Sequence, residues 1–278
     1  MAELLDSLAD AAAAAEPAVA FEAIEPLAST SAKRPGRALL SAEWRNLVML
    51  NYEIDPSALA AFLPRGTQLD LFQGRALVSV VGFEFLNARW CGLAIPGHGS
   101  FPEVNLRFYV KRRTLSGWRR GVEFLKEIAP RWMVAQVARR VYHENYCCRK
   151  MRHEVATSRA EGTALRTVRY EWRERGRWNR LALATAAEFS SCERDTEEAF
   201  VVEHYWCYTP QPNGTTREYR VDHPVWRIAA ASECELSCDV VRVYGPQFVE
   251  CLSGPPTSAF LVDGSAVVVH SGGVISDQ

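Results

Sequence analysis

The sequence predicts an α+β fold dominated by strands, in which an antiparallel sheet closes on itself beside one main helix. Three observations carry this. Short alternating or apolar runs recur from Trp44 to His270, separated by turn residues. Only Pro130 to Tyr142 shows a long stripe at helical spacing, through Trp132, Ala135, Val137, Ala138 and Val141. The regular strand–helix alternation of a parallel sheet is absent.

The elements follow in order. Residues 1–36 read as an Ala-rich acidic tail and linker, and residues 37–278 as one domain. Trp44 to Ile54 alternates as a strand. Asp55 then caps a short helix over Ser57 to Phe62, with Pro56 in its first turn. Leu69 to Phe72 and Ala76 to Phe85 read as a hairpin around Gln73-Gly74. Phe101 to Lys111 and Gly121 to Leu125 are strands on either side of the turn at Ser116-Gly117. Pro130 opens the main helix. Strands are expected over Glu144 to Ser158, Thr163 to Arg173, Val201 to Tyr208, Arg217 to Val221 and Trp226 to Cys234. A short acidic helix is expected over Thr196 to Phe200, and a strand pair over Phe260 to His270 turning at Asp263-Gly264.

One strand is richest in chemistry. Along Phe101 to Val110, side-chain alternation puts Glu103, Asn105, Arg107 and Tyr109 on one face and Val104, Leu106, Phe108 and Val110 on the other. A face bearing a carboxylate, an amide, a guanidinium and a phenol is costly to bury unless its groups pair. It reads as the floor of a polar pocket. Arg107 has two readings: a partner of Glu103 or Glu203 that closes the sheet, or a bidentate clamp for a ligand carboxylate. Glu203 and Tyr205 share a strand face, with His204 opposite. His223 precedes a Pro-fixed bend and Trp226. Lys150 lies in the basic run Arg149-Lys150-Met151-Arg152 and reads as a solvated lysine or as an amine nucleophile.

Composition bounds the rest. With 48% hydrophobic and 23% charged residues over 278 positions, the chain reads as a soluble globule. No apolar run reaches the roughly 20 residues of a membrane span, and the N-terminus lacks a basic start, so a cytoplasmic protein with no membrane partner is expected. The eight cysteines include no C-x-x-C pair, so free thiols, no metal and no cofactor are expected. Residues 31–180 carry a net +14 and residues 181–278 a net −9. The bases are scattered and no nucleic-acid-binding motif appears, so pairing within the sheet is expected, with no nucleic-acid partner. A homo-oligomer is compatible with this composition.

The same residues carry a family likeness. The stretches Leu59-x-x-Phe62-Leu63-Pro64-x-Gly66, Gly74-x-Ala76-x-Val78-Ser79-Val80-Val81-x-Phe83, Glu103-Val104-Asn105-Leu106-Arg107-x-Tyr109-Val110, Gly121-Val122-x-Phe124, Glu203-x-Tyr205 and His223-Pro224-x-Trp226 resemble the YqjF-like family. That family is a domain of unknown function in the acetoacetate-decarboxylase-like superfamily. The resemblance implies a closed, cone-shaped antiparallel sheet with an internal pocket. In the decarboxylases a lysine after the helix forms a Schiff base with a β-keto acid. Here the matching stretch is Asn145-Tyr146-Cys147-Cys148-Arg149-Lys150. Aligned on Tyr146, the two lysine positions are Cys148 and Arg149, and Lys150 falls one residue late. In a strand that slip turns a side chain to the opposite face.

The expected function is a pocket that binds a small organic acid or carbonyl compound, with or without transforming it, and the ligand is expected to bear a carboxylate. Arg107 would hold the carboxylate, Glu103 and Glu203 would orient Arg107 or move protons, and Asn105, Tyr109, Tyr146, Tyr205, His223 and Trp226 would line the site. The alternatives are a non-catalytic binding or regulatory module and a decarboxylase using Lys150.

Overall fold

A computed structural model describes residues 36–132, 143–160 and 163–275. The helix expected over Pro130 to Tyr142 lies outside the described residues from position 133, as do residues 1–35 of the acidic tail.

Seven strands close into a cone-like ring. They are β1 (Ala38–Ile54), β3 (Ala76–Trp90), β5 (Phe101–Thr114), β6 (Gly117–Ala129), β12 (Trp206–Pro210), β13 (Thr216–Asp222) and β16 (Ser258–His270). Each pairs with its neighbour in the order β16-β1-β3-β5-β6-β12-β13. The ring closes where β13 meets β16 through Val221 opposite Val269 and Asp222 opposite Val268. Shorter strands hang on this ring: β2 (Gln68–Leu69), β4 (Leu93–Ala94), β7 (Tyr146–Cys148), β11 (Ser190–Ser191), β14 (Arg227–Ala230) and β17 (Gly273–Ile275). The expected closed sheet is present, with one difference. β12 and β7 both join β6 in parallel.

A second sheet covers the outside of the ring. It comprises β8 (Met151–Ala160), β9 (Thr163–Glu174), β10 (Arg177–Thr185) and β15 (Glu233–Ser237), in the order β15-β10-β9-β8. Its inner residues Val168, Tyr170, Trp172, Leu181 and Leu183 pack with Val48, Leu50, Val80, Val104 and Leu106 of the ring. Full burial of each large side chain contributes about 2–3 kcal/mol. Gly82 lets this sheet approach, because a Cβ there would lie 2.6 Å from the Tyr170 ring. Strands covered on both faces read as continuous apolar runs, as Ala76 to Phe85 does.

Four short α-helices, α1 (Pro56–Leu59), α2 (Glu197–Val202), α3 (Val240–Val243) and α4 (Val249–Ser253), and two 3-10 turns, Ala60–Phe62 and Pro246–Phe248, complete the described elements. Asp55 caps α1 as expected, accepting from Ser57 N at 2.8 Å. α2 plugs one end of the ring interior with Phe200, Val201 and Val202. Beneath it runs a hydrogen-bonded chain of side chains. Tyr109 meets Ser79 Oγ at 2.5 Å, Ser79 donates to Asn51 at 2.5 Å, and Asn51 donates to Ser258 Oγ at 2.8 Å. Ser258 donates to Glu197 at 2.7 Å.

Several expected elements are corrected. The strand expected from Val201 begins only at Trp206, because α2 runs on to Val202. The Gln73-Gly74 hairpin reduces to a single bridge, Phe72 to Arg75, and Gln68–Leu69 pairs instead with β5. Glu144 to Ser158 divides into β7 and β8, and Trp226 to Cys234 into β14 and β15, which belong to different sheets. Asp263-Gly264 is no turn: β16 runs straight through it. Gly264 takes φ +70° there because Trp44 O lies where a Cβ would stand. β10, α3 and α4 were not anticipated.

Candidate functional site

The polar face expected on β5 points into the ring. Glu103, Asn105 and Arg107 line a cavity of about 190 Å³, whose walls are mostly apolar and aromatic: Trp44, Phe83, Phe85, Phe101, Phe124 and Trp226 among them. The rings interlock, with Phe85 stacked on Phe101 at 4.7 Å and Trp44 tilted against Phe83 at 5.0 Å. Such a site fits a small molecule with an apolar body and a few polar groups.

Arg107 is partly buried, and its Nη2 donates to Val201 O at 2.9 Å, satisfying one of the open carbonyls in the last turn of α2. Its Nε is buried without a hydrogen-bond partner. Among the described residues no carboxylate pairs with it, so the reading in which Glu103 or Glu203 neutralises Arg107 does not hold. Asn105 Oδ1 and Glu127 Oε2 are likewise buried and unpartnered.

Three carboxyls line the cavity. Asn105 on β5, Glu127 on β6 and Tyr146 on β7 lie side by side in register. Glu103 accepts from the Tyr146 hydroxyl at 2.5 Å, and Glu144 accepts from the Tyr219 hydroxyl. Burial raises the Glu103 carboxyl to about 8, aided by the charge of Glu144 and opposed by the Tyr146 hydrogen bond. Burial raises Glu144 to about 7, against the Tyr219 hydrogen bond. Glu127 is pushed well above the carboxylate range by burial, then by the charges of Glu144 and Glu103. Glu123, buried on the same strand, is pushed up by burial and by Glu144. Desolvation of this kind keeps carboxyls protonated near neutral pH. Cys207 also lines the cavity, but burial raises its thiol, which is thereby a poor nucleophile. Among the described residues no group of three or more His, Cys, Asp and Glu side chains is placed to hold a metal ion.

The structure brings together five of the ten expected site residues: Glu103, Asn105, Arg107, Tyr146 and Trp226 line the cavity. Tyr109 shares their face but is buried in the plug below them. Tyr205 and His223 form a stack behind Trp226, with His223 and Trp226 ring centroids 3.8 Å apart. Glu203 ends α2 and does not reach the cavity, because the helix breaks the strand parity that put it there. Lys150 is exposed on the link between β7 and β8 and does not line the cavity, and no other described lysine does. The role of Lys150 as an internal amine nucleophile is corrected accordingly. Glu127 and Glu144 were missed. Glu127 hides because β6 bulges opposite β5 between Lys126 and Phe124, which puts Phe124 and Glu127 on one face despite their odd spacing.

Comparison with known proteins places the family and the fold. The chain belongs to DUF2071, a family of uncharacterized conserved proteins, whose model matches residues 41–266. It is 28% identical over 204 residues to the uncharacterized protein YqjF of Bacillus subtilis, covering 73% of this chain and 80% of that one. Its fold is similar to the enduracididine biosynthesis enzyme MppR complexed with pyruvate, with TM-score 0.60, 15% identity and coverage of 91% and 95%. It is also similar to acetoacetate decarboxylase from Legionella pneumophila, with TM-score 0.57, 12% identity and coverage of 90% and 93%. Among the described residues no helix is long and apolar enough to cross a membrane.

Proposed function

We propose that this DUF2071 chain binds a small organic acid with an apolar body inside the ring, and that Arg107 anchors its carboxylate. One observation carries the reading. Arg107, Asn105 and Glu127 all line one cavity, and each has a buried polar atom, Nε, Oδ1 and Oε2 respectively, without a hydrogen-bond partner. Each such group left unmet costs about 1–3 kcal/mol. A ligand with one carboxylate and one further polar group would meet them, and the aromatic walls would take its body. Burial favours the protonated form of the glutamates and so lessens the negative charge that an anion meets beside Arg107. The pyruvate carried by the MppR structure is a carboxylate of this kind. No described lysine lines the cavity, so the ligand is held without an imine.

The test is a thermal-shift screen of aryl and alkyl carboxylates against the wild type, Arg107→Leu and Arg107→Lys. Arg107→Leu is expected to weaken binding about 10- to 100-fold, the worth of a charged hydrogen bond. It also loses the Val201 O contact, lowering stability by about 1–2 kcal/mol. Arg107→Lys keeps the charge but not the fork and is expected to fall between. A ligand response in folded Arg107→Leu equal to that of the wild type removes the anchor. Lys150→Ala is expected to respond as the wild type, and borohydride with an oxo acid is expected to label neither.

A further inference from the structure

We propose that the glutamates beside Arg107 form an acid–base pair that interconverts the keto and enol forms of an aryl-substituted oxo acid, with Glu103 as the base and Glu127 as the acid. This rests on the reading that Arg107 holds a carboxylate in the cavity.

The geometry supplies each part. A cavity of about 150 Å³ lined by aliphatic and aromatic side chains accommodates benzene. At about 190 Å³ this one has room for a ring and a short polar chain. The ring would sit among Trp44, Phe83, Phe85 and Trp226, and the chain would extend over β5 toward Arg107. Between these ends stand Glu103, Asn105, Glu127 and Tyr146.

The carboxyls differ in what already engages them. Glu103 receives the Tyr146 hydroxyl at 2.5 Å, a contact that favours its ionised form. Tyr146 also opposes the rise of Glu127, less than burial and the neighbouring carboxylates promote it, but Glu127 Oε2 is buried and has no hydrogen-bond partner. In its protonated form it has a proton to give to a carbonyl oxygen. Glu103, holding the Tyr146 hydroxyl, is the more readily ionised of the two and serves as the base, while Glu127, raised further, keeps its proton. Environments that push two carboxyls apart in this way define an acid and a base.

The step balances within the pair. Glu103 removes the proton on the carbon next to the carbonyl. The electron pair of that C–H bond becomes the carbon–carbon double bond. The carbonyl π pair moves onto oxygen, which takes the proton of Glu127. The enol forms, Glu103 is left protonated and Glu127 ionised, and the reverse step restores both. No oxidant, metal or amine enters.

The experiment follows solvent deuterium exchange at the carbon next to the carbonyl by proton NMR, with 4-phenyl-2-oxobutanoate and 3-benzoylpropionate as probes. Binding is read in parallel by thermal shift. Exchange is expected to exceed the buffer rate by about 100-fold or more, the usual scale of positioned acid–base catalysis. Glu103→Gln and Glu127→Gln are each expected to return it to within about tenfold of buffer. Tyr146→Phe, which keeps both carboxyls, is expected to lower it also, and serves if a glutamine variant fails to fold. Arg107-dependent binding with exchange at the buffer rate overturns this inference and leaves the binding reading standing. Neither binding nor exchange overturns both. Exchange that persists in both glutamine variants overturns the assignment to this pair.

Discussion

Raising the pH from 6.5 to 8.5 is expected to lower the thermal midpoint of this protein by on the order of 10 °C. The cause is the buried carboxyl cluster. A carboxyl raised on folding binds a proton in the native state that the unfolded chain has already released. Stability therefore falls as pH rises through the interval between the unfolded and folded values. For Glu103 that interval runs from the ordinary glutamate value of 4.5 to about 8, and for Glu144 from 4.5 to about 7. Glu123 and Glu127, raised further, extend it upward.

Buried His204 works in the opposite sense lower down. Burial and then Arg120 push it down to about 3, so the unfolded chain binds the extra proton between about 3 and 6.5. Stability rises with pH across that range on its account, offsetting part of the carboxyl effect. Above about 6.5 that offset is gone. Each proton difference is worth about 1.4 kcal/mol per pH unit, so the cluster amounts to several kcal/mol at alkaline pH. Exposed His153, held up by its hydrogen bond with Glu84, adds a smaller loss in the same direction. Glu127→Gln separates the two causes. It is expected to raise the midpoint at pH 8.5, change it little at pH 6, and flatten the curve between. Curves for the variant and the wild type that run parallel from pH 6 to 8.5 would show that the cluster is not responsible.

Gly264→Ala is expected to cost about 3–5 kcal/mol. Two penalties combine there. The backbone sits at φ +70°, where an L side chain is strained, and the new Cβ would lie 2.1 Å from Trp44 O and 2.8 Å from Leu47 Cδ1. The first contact is backbone, in the middle of the β1–β16 ladder, and cannot swing aside. Gly92→Ala is the control, since Gly92 has φ +83° but nothing within 4 Å of its Cβ position. It is expected to cost only about 1 kcal/mol, the conformational part. Urea unfolding measures both. Equal losses at the two positions would show that the contact with Trp44 is relieved cheaply.

The inner face of β5 was legible because β5 keeps its alternation from Glu103 to Tyr109, so parity alone placed Asn105 and Arg107 beside Glu103. The same rule failed on β6, where the expected strand stops at Leu125, two residues short of Glu127, and the bulge puts Glu127 on the face of Phe124. It failed again at Glu203 and Tyr205, because helical turns through Val202 occupy what reads as the start of a strand. Glu144 lies outside any strand, just before β7, and no local pattern marks it. Gly264 sits in an Asp-Gly pair that ordinarily signals a turn, and its φ of +70° together with the Trp44 backbone at its Cβ position explains a glycine inside a strand. Long-range contacts, invisible to local periodicity, decided each of these cases.

The ring is joined unevenly. β1 meets β3 and β16 along nearly its whole length, whereas β13 meets β16 through two residue pairs, reinforced by His270 Nε2 against Asp222 at 2.8 Å. Val221 and Val269, one of those pairs, are also cavity wall. The shell thus has a clasp: parting it sacrifices the fewest ladder bonds of any antiparallel seam in the circle and opens onto the chamber within. A change at Val221 or Val269 therefore touches the shell's shortest antiparallel seam and the wall of the chamber at once.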